Sequence, residues 1–284
     1  MHLSCADYTW PLLSHANALD LARAMECDAV DIGFMTNRSH VRPEEVHGAV
    51  PFAAGAVRER TQSRGLAIAD VFAIPFTDFE TMAANNPDPA EQERSLAFFA
   101  DAVEFAALVG SPGLTTLPGA VFGHDTFEDA LSRAVEGLSR RVDMASARGL
   151  ALSVEPHTGS LIDTPEKTEQ LLDLVPGLQI TLDYAHYVYA GVEQSRIDPL
   201  VRHARHLQCR PGRMGDLQVA VSEDAIDWRT VVRSLHKAEY DGYLALEYTW
   251  QEWLGCNRTD TIAESILLRD LLRSATSEIR EATT

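Results

Sequence analysis

Basic residues are scarce in this 284-residue chain: 24 Lys+Arg stand against 42 Asp+Glu, a formal charge of −18. Nucleic acids and anionic membrane surfaces are gripped through a positive footprint, so the acid excess argues against both as partners. Cysteine is sparse as well. Cys5, Cys27, Cys209 and Cys256 are scattered without a CxxC pair, which is no disulfide framework. A chain this long buries a core without staples, and a reduced, cytoplasmic setting is expected. No run approaches the roughly 18 apolar residues of a membrane span. The opening MHLSCADYTWPLL has no basic segment leading into a long apolar one, so export is not expected either. Glycine-rich phosphate turns are missing too: there is no GxGxxG and no GxxxxGK followed by Ser or Thr. No low-complexity linker interrupts the chain, and residues 1–284 are expected to form one domain.

What is present is alternation. Short apolar runs predict strands at His2–Cys5, Ala29–Phe34, Leu66–Phe72, Gly113–Leu117, Ala151–Glu155, Gln179–Asp183, Ala204–Cys209 and Tyr243–Glu247. Amphipathic stretches lie between them. In the clearest, Phe127, Ala130, Leu131, Ala134, Val135, Leu138 and Val142 recur at three- and four-residue spacing, one face of a helix. Leu96, Phe99, Ala100, Val103 and Ala107 do the same. Helix starts are marked by Ser14, by Asp125 or Thr126, by Thr164 before Pro165, and by Asp227. Gly65, Gly149, Gly177 and Gly242 stand where left-handed residues would end helices. The loop Ala83–Pro89 reads as a surface turn or small lid. Regular β–α alternation implies a parallel sheet, and eight units in under 300 residues favour a closed (β/α)8 TIM barrel, an α/β fold, over an open sheet.

Such barrels place their chemistry at the C-terminal ends of the strands. Strand five ends at Glu155 with His157 just beyond; strand six ends at Asp183 with His186 three residues on. Strand seven carries His206, Arg210 and Arg213, and strand eight ends at Glu247, followed by Trp250. Three carboxylates converging without a cation would repel one another and be forced to hold protons. A divalent ion resolves the conflict. Three carboxylates and an imidazole form a hard, oxygen-rich shell suited to Mn²⁺, with Mg²⁺, Co²⁺ or Zn²⁺ as other candidates.

These residues resemble the xylose-isomerase-like barrel superfamily, within its sugar (phosphate) isomerase/epimerase group. SVEPHTGSLIDTPE, LDYAHYVYAG and DGYLALEY carry the resemblance, which is strong over residues 151–250 and continues as barrel alternation elsewhere. It implies Glu155, Asp183, His206 and Glu247 as metal ligands, His186 as a contact to substrate or to a further metal, and His157 as facing the pocket where substrate binds. Several relatives have two histidines at alternate positions of strand seven, where this chain has Ala204 and Gln208 around His206. His203 is the other candidate on that strand. Relatives also place an arginine after the strand-seven histidine, a role open to Arg210 or Arg213. By the same resemblance a homo-oligomer is expected.

A carbonyl and neighbouring hydroxyl held on a metal have an acidified C–H, and Glu155 and Glu247 would serve as the acid/base pair that moves its proton. The expected reaction is isomerisation or epimerisation of a small keto-sugar. The alternative is a lyase, a decarboxylase or dehydratase acting on an oxo-sugar acid or related keto-acid, with Arg210, Arg213 or Arg258 holding the acidic group. Abasic-site endonucleases share the barrel, but they need further histidines on strands two and three and a basic surface. Here those strands end Asp31-Ile-Gly-Phe and Asp70-Val-Phe, and His40 and His47 lie farther out. Tyr248, Trp250 and Trp253 either stack on a sugar face or pack against Ile262, Ile266 and Leu267.

Overall fold

The alternating runs close into a ring. The computed structural model describes residues 1–283. Its strands are β1 (His2–Ala6), β2 (Ala29–Met35), β3 (Ala67–Ile74), β4 (Gly113–Thr116), β5 (Ala151–Val154), β6 (Gln179–Asp183), β7 (Ala204–Cys209) and β8 (Tyr243–Leu246). They pair in chain order, all in parallel, and β8 joins β1 to form a closed barrel. One principal helix follows each strand: α1 (His15–Ala24), α2 (Val50–Gln62), α3 (Pro89–Val109), α4 (Phe127–Ser146), α5 (Pro165–Leu174), α6 (Tyr184–Tyr189), α7 (Trp228–Lys237) and α8 (Thr261–Thr283). Among the described residues no helix is long and apolar enough to cross a membrane.

The helix starts follow from capping chemistry. Ser14, Thr126, Thr164 and Asp227 each accept the backbone N–H three residues on, and Thr126 forms a reciprocal capping box with Asp129. Each such cap contributes on the order of 1 kcal/mol. Thr126, not Asp125, is therefore the cap of α4. Of the four expected left-handed glycines, Gly65, Gly149 and Gly177 have positive φ; near Gly242 that conformation falls to Glu239 instead.

The helices bury their apolar stripes on the barrel wall. On α4, Ala130, Leu131, Ala134, Leu138 and Val142 are buried, while Phe127 and Val135 are partly covered at the stripe's margins. Phe34 of β2 packs against Phe98 and Phe105 of α3. The 83–89 loop is not a free lid. Asn85 is buried and donates to the carbonyls of Ala120 and Ala130. The loop lies so close to α4 that a Cβ on Gly137 would meet the Ala84 carbonyl at 2.0 Å. The missing side chain at Gly137 is what lets the loop pack down.

Inside the ring the strands carry a polar layer. Asp31 accepts from Ser4 at 2.9 Å and lies 2.6 Å from His206 Nε2; Asp70 accepts from Arg205 at 2.7 Å and from Thr115 at 2.6 Å. Burial alone would strip the proton from His206, but the Asp31 carboxylate, reinforced by Asp70, holds the imidazole pKa above its usual range. Removing one partner of a buried pair costs about 3–5 kcal/mol. Asp31→Ala should therefore lower unfolding free energy by about that much in urea titrations. Because the folded pKa of His206 is raised, the pair's contribution is full below the unfolded histidine pKa and fades as pH rises through the folded one. The difference between wild type and variant should narrow in that direction. A loss that stays the same from mildly acidic to alkaline pH would contradict the pairing.

Candidate active site

The site is built from strand ends. Glu155 follows β5 directly, its backbone N–H bonded to the Thr116 carbonyl; Glu247 follows β8, its N–H bonded to the Cys209 carbonyl. Asp183 ends β6 and caps α6, its Oδ1 accepting the Ala185 N–H at 2.8 Å. The cap fixes one oxygen of Asp183 and leaves Oδ2 for the barrel mouth, where the Arg210 guanidinium donates to it. Oxygens of Glu155, Asp183 and Glu247 lie within 4.8 Å of one another, all three residues buried. Arg210 is also 3.6 Å from Glu247. Burial opposes its charge, and Asp183 and Glu247 outweigh that effect, so Arg210 stays a cation.

One arginine among three carboxylates is too little positive charge. Burial pushes the Glu155 carboxyl well above its usual range, Asp183 adds to this, and Arg210 only partly opposes it. Glu247 is raised likewise, by burial first and by repulsion from Glu155 and Asp183. Glu155 Oε1 and Glu247 Oε2 are buried without a hydrogen-bond partner. Gln208 Oε1 is another such atom; Gln208 is opposite Asp183 in the β6–β7 register, and its amide nitrogen donates to Tyr8 Oη at 3.1 Å. Three clustered carboxylates, two of them with an unpartnered oxygen, are what a divalent cation satisfies, so the residues present fit a metal.

The histidines divide. His157 donates from Nδ1 to the Thr158 carbonyl at 2.7 Å, which leaves Nε2 as an acceptor. His186 Nε2 lies 3.4 Å from Glu155, 3.6 Å from Asp183 and 3.0 Å from the Arg210 guanidinium. Burial depresses both imidazoles, His186 to about 3, so both are neutral. Glu155, His157 and His186 form a second group of potential ligands that shares Glu155 with the first. His206 belongs to neither. It sits opposite Thr181, two residues before the Gln208–Asp183 level and so about 6.6 Å deeper in the barrel, bonded to Asp31. His203 is partly exposed and accepts from its neighbour Arg202.

A pocket of about 640 Å³, counted to its open mouth, lies over the carboxylates. Glu155, His157, Arg210 and Glu247 reach it, with Tyr8, Arg38, Thr77, Thr249 and Gln251 as further polar lining. Its apolar wall includes Phe72, Ile74, Phe79 and Trp253. Phe79, His157 and Trp253 pack ring to ring at 4.9 to 6.5 Å. Tyr8 lies across β2 because residue 33 is glycine: a Cβ there would come within 2.8 Å of the tyrosine ring.

Besides His206, three residues raised by the sequence are not among those lining the pocket. Arg213 is exposed and paired with Asp216 and Glu223 outside the pocket. Trp250 is exposed and does not line the pocket; Trp253, on the turn Trp253–Arg258, does. Tyr248 is buried and donates to the Val219 carbonyl. The sequence assigns no individual role to Gln208, Tyr8, Phe79 or Arg38. Only Gln208 had a signal, the two-residue step from His206 that keeps it on the inner face. The ends of β2 and β3 offer Met35, Phe72 and Ile74 to the pocket and no histidine.

Comparison with known proteins agrees with the barrel fold. D-psicose 3-epimerase from Clostridium cellulolyticum H10, solved with D-tagatose, superposes with a TM-score of 0.76 at 15% identity, covering 97% of this chain and 99% of that one. The zinc-bound IOLI protein superposes at 0.73 and 14%, covering 98% and 99%. Inosose dehydratase from Geobacillus thermodenitrificans (strain NG80-2) is 23% identical across 42% of this chain, and the match spans about half of that relative, 47% of its length. Residues 19–271 match the family of xylose isomerase-like TIM barrels. The chain belongs to that family.

Proposed function

We propose that this protein is a divalent-metal-dependent isomerase or epimerase that moves a proton beside the carbonyl of a small keto-sugar, with Glu155 and Glu247 as its acid/base pair. The observation that carries this reading is the pair of buried glutamates with unpartnered oxygens at the floor of one pocket. Strands β5 and β8 bring them in from different sides of the ring. Glu155, Asp183, Gln208 and Glu247 would hold the cation, an all-oxygen set that suits Mn²⁺ or Mg²⁺. A bound cation would polarise the substrate carbonyl and acidify the neighbouring C–H.

The chain's own groups do the rest. The aromatic wall of Phe79 and Trp253 takes the apolar face of the sugar, and His157 Nε2 is free to accept a hydroxyl proton. One glutamate takes a proton from carbon, and the other delivers its own proton to the opposite face or, as the hydroxyl proton passes to the carbonyl oxygen, to the adjacent carbon. With no cation bound, burial and mutual repulsion raise both carboxyls, which marks the two as groups able to hold a proton. Arg210 holds Asp183 in place and keeps a positive charge beside the enediolate as it forms.

The sequence match to a dehydratase favours a second outcome of the same proton removal, loss of a neighbouring hydroxyl as water. Product mass separates the two: isomerisation conserves it, and dehydration lowers it by one water.

Two measurements test the proposal. Wild-type protein with Mn²⁺ in D₂O should place deuterium α to the carbonyl of a ketose from a panel screened by NMR, and Glu155→Gln should slow this by about 10² or more. Undiminished exchange in the variant would sink the acid/base assignment. Equilibrium dialysis against Mn²⁺ separates the strand-seven candidates. Gln208→Ala should weaken binding at least about tenfold, whereas His206→Gln should leave it unchanged; the reverse pattern would restore His206 as the ligand.

A further inference from the structure

Arg38 lies on the loop between β2 and α2 and lines the pocket beside Tyr8, Glu247 and Arg210. Its loop is pinned. Ser39 is buried, accepts the Met35 N–H at 2.8 Å and donates to the Val41 carbonyl at 2.5 Å; Asn37, in the left-handed conformation, bonds through its N–H to Glu44. The other pocket cation, Arg210, is committed to Asp183. Arg38 is not committed. Among the described residues its guanidinium has no hydrogen-bond or ion-pair partner, although burial already works against its charge. Leaving a half-buried guanidinium unpaired is costly unless something that enters the pocket pairs with it.

Resting on the reading of the site as a keto-sugar enzyme, we infer that the substrate is an acidic sugar whose terminal carboxylate is held by Arg38, at the end away from the reacting carbonyl. The planar fork of the guanidinium matches the two oxygens of a carboxylate. A neutral sugar would leave the fork unanswered.

The test uses three ligands that differ only at C6: D-fructuronate, D-fructose and D-fructose 6-phosphate. Affinities are measured by calorimetry with Mn²⁺-loaded and with EDTA-treated protein. D-fructuronate should bind at least about tenfold more tightly than D-fructose, the usual discrimination of one charge-assisted pair, and more tightly than the phosphate. Arg38→Met should bring acid and neutral sugar to within about twofold, the larger loss falling on the acid. If that variant does not fold, Arg38→Lys, which keeps the charge and loses the fork, should lower the ratio without abolishing it. Three results overturn the inference: no acid preference in wild type (including failure to hold either sugar), equal weakening of both sugars by Arg38→Met, or tighter binding of the phosphate. Arg38 is not among the cation's proposed ligands, so the two readings fail separately. An acid preference that survives in protein unable to retain Mn²⁺ keeps this inference and removes the metal reading; Mn²⁺ retention without an acid preference does the converse.

Discussion

Repulsion among Glu155, Asp183 and Glu247 is the constraint that organises the mouth of this barrel. Three carboxylates meet in a buried space where each unit of charge is expensive. Arg210 is drawn in among them, Asp183 is tied to the start of α6, and two glutamate oxygens are still left without partners. Such an arrangement is costly to fold and is retained where a cation or a reacting proton uses it. The strength of the barrel lies elsewhere, in the apolar layer between strands and helices, and that layer carries the cost.

A second polar layer lies deeper in the ring and has a different character. Asp31 with His206, and Asp70 with Arg205 and Thr115, are matched in charge and hydrogen-bonded. Below, polar groups are satisfied and serve the packing of the barrel; at the mouth they are left unsatisfied and available. The satisfied and the unsatisfied polar groups are therefore separated by depth along the strands.

Much of this could be read from the chain. Eight strands to within two residues at each end, helix starts near Ser14, Thr126, Thr164 and Asp227, and the three rim carboxylates follow from local pattern, because a residue that ends a barrel strand must face the mouth or its edge. Depth could not be read so directly. His206, Gln208 and Arg210 share the inner face of β7 by their two-residue spacing, and only pairing with β6, with its register shift between Ile180 and Thr181, decides which meets Asp183. Parity did contain a usable warning about Arg213, which is out of step with that series. The loops contained none: the turn that brings Trp253 rather than Trp250 to the pocket, and the pinned loop that carries Arg38, depend on backbone conformations with no periodic signature.

The carboxylates at the strand ends and Gln208 are proposed to surround a divalent cation. Crystals grown with Mn²⁺ and measured at its absorption edge give the sharpest test. One anomalous peak is expected within coordination distance of Glu155, Asp183, Gln208 and Glu247, with His206 still bonded to Asp31. No peak among those four side chains, or a peak held by His206 in place of Gln208, would contradict it.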